Sequence, residues 1–349
     1  GTTGRRVVEE ARRLGLPIRL GGRSRSSLEE LARTFDAEIR VAELDDPDAL
    51  DDALEGAAAV LHCVGPFFKT ARPVIEACLR QGVHYLDIDG ELDTLERTLA
   101  LGPQAEAAKI AIVPGVGWDV VPTDCLAARL SRAMPDATHL ELGFARDDWV
   151  FSAGSFKTAV ELLPRRGAVR RNGEIVTTPI ADELCRIDLG DEVKWAMTLP
   201  WGDVSTAYHT TGIPNVKVFY CAPVIRYFIL RSLDPWLPFY AAPGVRELTR
   251  AWADLVAPSR DLQERPDSRT RLWGSVRNAA GRSLVGFGET PSIYATTATA
   301  AVESARRLLE EGVAPGAWTP SRAFGPDLAE ALPGVTMGPI VPGTVPRVG

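Results

Sequence analysis

Lysine is scarce in this sequence. It stands only at positions 69, 109, 157, 194 and 217, so arginine carries most of the positive charge. Histidine occurs four times and methionine three times. No H-E-x-x-H pattern is present, and the five cysteines (Cys63, Cys78, Cys125, Cys185, Cys221) form no C-x-x-C. Their odd number and scattered spacing exclude a disulfide framework or a zinc site, and point to free thiols in a reducing, cytoplasmic setting. An excess of positive charge is missing too. The net charge of −7 argues against a nucleic-acid surface. Nor does any apolar run reach the roughly 18 uncharged residues of a membrane span. The most apolar stretch, 216–245, is broken by Lys217, Arg226, Arg231 and Asp234. It reads as a strand followed by a buried helix pair. The less favoured alternative is a greasy entrance for a lipid-like substrate, or a membrane-surface contact.

What remains is an ordinary globular composition, 45% hydrophobic and 24% charged over 349 residues. That length suits about two domains. In the first 115 residues, short apolar runs alternate with amphipathic ones. Val7, Val8, Ala11 and Leu14 share a helical face closed by Gly15. "PIRLGG" is a strand; Ser27 and Glu30 form a capping-box pattern for the helix after it. "EIRVAEL" is the next strand, and Asp46-Pro47 opens another helix. "AAAVLHCVG", "VHYLDI" and "IAIVPGVG" are further strands, with helical residues at about 72–81 and 92–108 between them. Such alternation predicts an α/β fold, a doubly wound parallel sheet with helices on both faces.

The chain opens on "GTTG" immediately before the first helix. In a doubly wound sheet a glycine turn leads from the first strand into a helix whose free N–H groups hold a pyrophosphate. Gly1, Thr2, Thr3 and Gly4 match the second half of that turn. The first strand and first glycine are expected ahead of Gly1, which makes the sequence an amino-terminal truncation. An acidic residue for the ribose 2′-hydroxyl is usual about 20 residues further on. Here Arg23, Ser24 and Arg25 stand instead. Arginine and serine suit a 2′-phosphate, so the expected cofactor is NADP rather than NAD. Asp45 is a candidate for the adenine, or else the start of a helix. Cys63, Val64, Gly65, Pro66 and Phe67 end a parallel strand with a loop that lets backbone approach a ligand.

With these pieces the chain resembles the saccharopine dehydrogenase-like oxidoreductases. The resemblance is carried by "GTTGRRVVEE", "LGGRSRSSLEELA", "VLHCVGPFFKTARPVIEACLRQGVHYLDIDGE", "IVPGVGWDVVPTDCLAARL", "PWGDVSTAYHTTGIPNVKVFY" and "GAWTPSRAFGPDL". It looks closest to the branch of trans-acting enoyl reductases and similar NADP-binding proteins. The departure is the absent first strand and glycine. The resemblance implies a Rossmann domain over 1–117, a substrate and dimerisation α/β domain over 118–290, and a returning helix with a carboxy-terminal wrap over 291–349. It also implies hydride transfer to an enoyl, imine or carbonyl group, on a small-molecule or lipid-like acyl substrate, in a chain that can form a homodimer. The alternative is a non-catalytic NADP-binding or lipid-associated protein of the same fold.

In the second domain "THLELGFAR", "GEIVTTP", "CRIDLG", "EVKWAMTLP" and "NVKVFYCAP" read as strands, followed by a hairpin around 279–282 and a helix ended by Gly312. Hydride transfer needs orientation and one proton source from the protein. Candidates are Asp119 beside Trp118, Tyr208 and His209 in the polar stretch 201–215, and Lys157 in "SFKTAV". Asp203 and Ser205 could line the same stretch. Asp87, Asp89 and Glu91 in "DIDGE" could form an acid–base pair, or simply open a helix where acids are favourable. Asp124 reads as a first-turn residue. No tyrosine is followed four residues later by lysine, which excludes the short-chain dehydrogenase arrangement.

Overall fold

The computed structural model describes residues 1–146, 166–240, 242–256, 268–343 and 347–348. The chain divides into two compact units: 1–121 with 293–333, and 122–292 with 334–349.

The first unit is built from α1 (Thr2–Arg13), β1 (Arg19–Gly22), α2 (Arg25–Phe35), β2 (Glu38–Val41), α3 (Pro47–Leu54) and β3 (Ala59–His62). It continues with α4 (Phe67–Gln81), β4 (His84–Asp87), α5 (Leu92–Leu99), α6 (Gly102–Ala108) and β5 (Ala111–Val113). The helix Ile293–Glu311, the short strand Gly316–Ala317 and the short helix Pro320–Phe324 complete it. All strand pairs are parallel, but they form two pieces. β1 pairs with β2, while β3, β4, β5 and the 316–317 strand form a four-stranded sheet. Among the described residues no strand joins β1 to β3.

Local chemistry sets the boundaries. Asp46 caps α3, its carboxylate accepting the Ala49 N–H at 3.0 Å with Pro47 in the first turn. Gly82 ends α4 at φ +69°, a left-handed conformation that glycine adopts without strain. Two expectations need correction. The cap of α2 is Ser24, which accepts the Ser27 N–H, and not Ser27. The helical stretch 92–108 is two helices, because Gly102 and Pro103 restart the chain after the break at Ala100–Leu101. Tyr85, Ile112, Ile75 and Ala77 form the buried core between α4 and the four-stranded sheet.

The second unit is centred on an eleven-stranded mixed sheet. Its main path runs Thr336–Met337, Ser283–Thr290, Thr270–Asn278, Ala137–Arg146, Asn215–Cys221, Val193–Thr198, Leu184–Asp188 and Arg347–Val348. The strands 137–146 and 215–221 pair in parallel over seven residues; their other neighbours are antiparallel. Leu140, Leu142 and Phe144 alternate onto one face. The helix Val121–Ala133 packs there, where Gly274 and Gly286 leave room: a Cβ on Gly274 would sit 2.7 Å from Leu130. The opposite face buries Ala145, Ile187, Phe219 and Trp273. A hairpin not read from the sequence joins Gly167–Arg171 to Glu174–Thr178 through Asn172-Gly173, both at positive φ. "NG" between alternating residues is the strongest short hairpin signal and was available in the sequence.

The stretch 216–245 departs most from expectation. Its strand forms, but no side chain of the helix Val224–Leu233 is buried. Among the described residues no helix is long and apolar enough to cross a membrane.

Glu141, on the strand 137–146, has one carboxylate oxygen buried without a partner among the described residues. The nearby Lys217 is committed to Glu183, with contacts of 2.6 and 2.8 Å. Burial raises the Glu141 carboxyl to about 7, against the weaker opposing pull of Lys217. A raised carboxyl costs stability as pH climbs from the unfolded value to the folded one, because the native state then holds the extra proton. The cost is absent below 4.5 and full above about 7. Glu141→Gln should therefore raise the melting temperature at alkaline pH by roughly a few degrees and leave it nearly unchanged in acid. Thermal denaturation at both extremes checks the sign.

Candidate cofactor site

The carboxyl ends of β1, β3, β4 and β5 carry the residues that the sequence reading singled out. Thr2–Arg13 starts at Gly1 with no side-chain cap and no acid in its first turn. Its exposed donors and dipole end are suited to an anion. A Cβ on Gly4 would lie 3.8 Å from the Cβ of Cys63, so the start of α1 rests against the loop that follows β3. The structure thus brings Gly4 beside Cys63, with Gly1, Thr2 and Thr3 preceding the one and Val64, Gly65, Pro66 and Phe67 following the other. Val64 and Gly65 are exposed, and Phe67 is buried. The Thr70 hydroxyl donates to the Val64 and Pro66 carbonyls and fixes this turn.

Arg23 follows β1, is exposed, and has no ionic or hydrogen-bonding partner among the described residues. Ser24 caps α2, and Arg25 stands 4.0 Å from Glu29. Asp45 is exposed beyond β2. The Cys63 thiol is pushed up to about 12 by burial first and by the Asp87 charge second, so it is no nucleophile.

The acidic stretch after β4 has a role that its sequence did not disclose. Asp87 is fully buried. One of its oxygens accepts the Asp89 N–H at 2.9 Å and the Gly115 N–H at 2.8 Å; the other accepts the Tyr85 hydroxyl at 2.7 Å. The Asp87 carbonyl accepts the Val116 N–H. Asp89 in turn accepts the Glu91 N–H at 2.7 Å. Glu91 stands at the cap position of α5, yet its carboxylate does not cap that helix. It accepts the Phe67 and Phe68 N–H groups at 2.7 and 2.9 Å, capping α4 instead. The three acids therefore tie together the loops after β3, β4 and β5. Glu91 also occupies the α4 N-terminus.

Burial raises the Asp87 carboxyl to about 6, although three hydrogen bonds oppose the shift. Asp89 is raised well above the carboxylate range by burial and then by the charges of Asp87 and Glu91. Its second oxygen is buried without a partner among the described residues. His62, at the end of β3, stays neutral because burial lowers it to about 4. Its Nδ1 lies 3.2 Å from the Tyr85 hydroxyl. Since Tyr85 gives its only proton to Asp87, Nδ1 is the donor in that pair. Sequence reading missed His62 and Tyr85. The available signal was the i, i+2 alternation of Tyr85, Asp87 and Asp89, which places them on one face of a strand and its extension.

The proposed proton donors are dispersed. Asp119 is in the first unit, half-buried and packed against Gly90, where a Cβ would lie 2.8 Å from its own. Tyr208 and His209 belong to the second unit, on the helix Asp203–Thr211 rather than in an open polar loop. The Arg170 guanidinium lies 4.2 Å from the Tyr208 ring centre, and His209 meets the ring edge-on at 5.6 Å. Asp203 and Ser205 are fully buried in that helix. Asp124 is a buried first-turn residue of the helix 121–133 and accepts the Thr210 hydroxyl at 2.5 Å. Lys157 lies outside the described residues. Among the described residues no group of three acids, histidines or cysteines is placed to hold a metal.

The first unit is a Rossmann-type dinucleotide-binding domain. Residues 1–113 match the family described as the saccharopine dehydrogenase NADP binding domain. The chain is thus similar, through the NADP-binding domain at its start, to saccharopine dehydrogenase-like proteins. It is 35% identical over 241 residues to a probable mitochondrial saccharopine dehydrogenase-like oxidoreductase of Arabidopsis thaliana, covering 60% of this chain and 53% of that one. It is 32% identical over 121 residues to a trans-acting enoyl reductase of Mycobacterium leprae (strain TN), covering 33% of this chain and 29% of that one. Among solved structures, apo histidine-tagged saccharopine dehydrogenase (L-Glu forming) from Saccharomyces cerevisiae shares the fold, with a TM-score of 0.64, 12% identity and 98% of each chain covered. The chain spans about half the length of the curated relatives it matches.

The cap made by Glu91 yields a graded expectation. Glu91→Gln keeps one acceptor for the two N–H groups, and Glu91→Ala keeps none. Charge-assisted hydrogen bonds contribute about 1.5–3 kcal/mol each. Melting temperature and NADPH affinity should both fall, in the order Ala below Gln below wild type. Equal values for the three proteins in a thermal shift and a fluorescence titration would remove the cap from the argument.

Proposed function

We propose that this chain is an NADP-dependent oxidoreductase that moves a hydride between NADPH and an enoyl, imine or carbonyl carbon. The observation that carries this reading is the uncapped start of α1 lying against the Cys63–Phe67 loop, in a domain of the NADP-binding family. Bound NADPH supplies the hydride. The chain's own residues bind and orient. Gly1, Thr2, Thr3 and Gly4 offer backbone donors to the pyrophosphate; Arg23, Ser24 and Arg25 take the 2′-phosphate. Asp45 sits towards the adenine, and Cys63 to Phe67 line the nicotinamide side. Asp119, Tyr208, His209 and Lys157 are the candidate proton donors for the atom next to the reduced carbon. Residues 1–117 serve as the cofactor domain, 118–290 as the substrate and dimerisation domain, and 291–349 as the return. The enoyl choice is supported by the likeness to the trans-acting enoyl reductase, the cytoplasmic setting by five free cysteines.

A second reading, a lipid-associated NADP-binding protein without turnover, is favoured by the exposed apolar side chains between Ile225 and Leu255.

Titration with NADPH and NADH by fluorescence quenching tests the cofactor assignment, and preference for NADPH is the expected result. Replacing Arg23 and Arg25 with alanine should weaken NADPH by about tenfold or more while changing NADH by about twofold at most. Equal losses for both cofactors would overturn the 2′-phosphate role. Turnover of an enoyl, imine or carbonyl substrate separates the first reading from the second.

A further inference from the structure

Three side chains of the first unit are joined in one buried line. His62 ends β3, Tyr85 lies within β4 and Asp87 ends β4. His62 is buried, and the other two have no exposed surface. His62 Nδ1 lies 3.2 Å from the Tyr85 hydroxyl, and that hydroxyl lies 2.7 Å from Asp87 Oδ2. Asp87 Oδ1 is held separately, by the Asp89 and Gly115 N–H groups at 2.9 and 2.8 Å. At the far end, His62 Nε2 is buried and has no partner among the described residues. A buried polar atom without a partner costs free energy, and few native structures keep one without a use for it. Neither the cofactor contacts nor the candidate proton donors employ this line.

Every link of the line can run in either direction. A hydroxyl both donates and accepts, and a neutral imidazole carries its proton on either nitrogen. With Asp87 charged, Tyr85 donates to Asp87, His62 Nδ1 donates to Tyr85, and Nε2 is a bare acceptor. With a proton on Asp87 Oδ2, the bonds reverse. Asp87 donates to Tyr85, Tyr85 donates to His62 Nδ1, and the imidazole proton stands on Nε2. The step balances: Nε2 gains a solvent proton, Nδ1 passes its own to the Tyr85 oxygen, and Tyr85 passes its own to Asp87 Oδ2. His62 ends neutral as the other tautomer, and Asp87 ends neutral with Oδ1 still held by two N–H groups. The surrounding groups fit this exchange. Asp89 and Glu91 face Asp87 from the loop after β4, and Asp119 acts on Asp89 from the loop after β5. Asp89 keeps its own proton tightly, which leaves Asp87 as the carboxyl that titrates near 6. The Phe67 and His62 ring centres are 5.4 Å apart, and Cys63 and Cys78 are thiols held uncharged by burial. The helix Ile293–Glu311 buries no titratable side chain.

We infer that His62, Tyr85 and Asp87 form a two-state proton relay, which moves one proton between His62 Nε2 and Asp87 Oδ2 while the heavy atoms keep their places. The relay lets the loops after β4 and β5 stay tied to Asp87 in both of its protonation states. It also makes Nε2 the control point. An acceptor reaching that atom favours the protonated Asp87, and a donor favours the charged one. The inference goes beyond hydride transfer and does not depend on it.

The test is nitrogen–proton correlation NMR of the full chain with isotope-labelled histidine, which reads the tautomer of each ring. His62→Gln assigns the signal among the four histidines. Above about 6, the midpoint of Asp87, His62 should carry its proton on Nδ1; between about 4 and about 6 it should carry it on Nε2 and stay neutral. Asp87→Asn puts a permanent donor where Oδ2 stood, so His62 should hold the Nε2–H form on both sides of that midpoint. Tyr85→Phe cuts the line, and the tautomer should no longer change with pH. Circular dichroism checks that both variants fold; if one does not, the wild-type titration decides alone. A wild-type His62 that keeps one tautomer through the Asp87 midpoint, or becomes a cation there, overturns the inference. So does a folded Asp87→Asn protein whose His62 still carries its proton on Nδ1.

Discussion

The buried carboxylate of Asp87 is the point on which the cofactor end of the first unit depends. It has no exposed surface, and its two oxygens satisfy two backbone N–H groups and a tyrosine hydroxyl. The N–H groups belong to the loops after β4 and β5, and the hydroxyl belongs to β4 itself. Through Asp89 and Glu91 the same network reaches the start of α4 and the loop after β3. Parallel strands deliver their loops to one edge of the sheet but do not position them. Here an acid takes up N–H groups that would otherwise be buried and unsatisfied, and fixes several loops at once. The arrangement requires carboxyl groups to be close together in a dry place. That is why Asp87 and Asp89 hold their protons more tightly than exposed carboxylates do.

The two units solve different packing problems. The first keeps short parallel strands under helices, so its strands read as plain apolar runs. The second spreads a wide mixed sheet, and there alternation matters. Leu140, Leu142 and Phe144 face the helix 121–133, while Ala145 and Gly143 face the opposite core. Glycines at 274 and 286 allow that helix to approach the sheet closely. Glu141 interrupts the second face with a carboxylate whose partners are only partly supplied.

The sequence by itself determined much of this protein. Alternating strands and helices gave the α/β class, proline and aspartate located the start of α3, and glycine located the end of α4. The hairpin at 270–290 and the GTTG start of α1 were legible, as was the replacement of an acid by Arg23. These are local features, set by neighbours in sequence, by backbone φ and by side-chain period. Only the tertiary structure decided the rest. Glu91 looked like the opening of its own helix, yet its carboxylate caps one that begins 24 residues earlier. Tyr85 and His62 were not singled out, yet the Tyr85 hydroxyl donates to Asp87 and His62 Nδ1 bonds that hydroxyl. The stretch 216–245 was expected to hold a buried helix pair, yet no side chain of the helix 224–233 is buried, because hydrophobic period shows that a helix has an apolar face but not whether another element covers it. Long-range partners and burial depend on how elements meet in space, and spacing along the chain carries no record of that meeting.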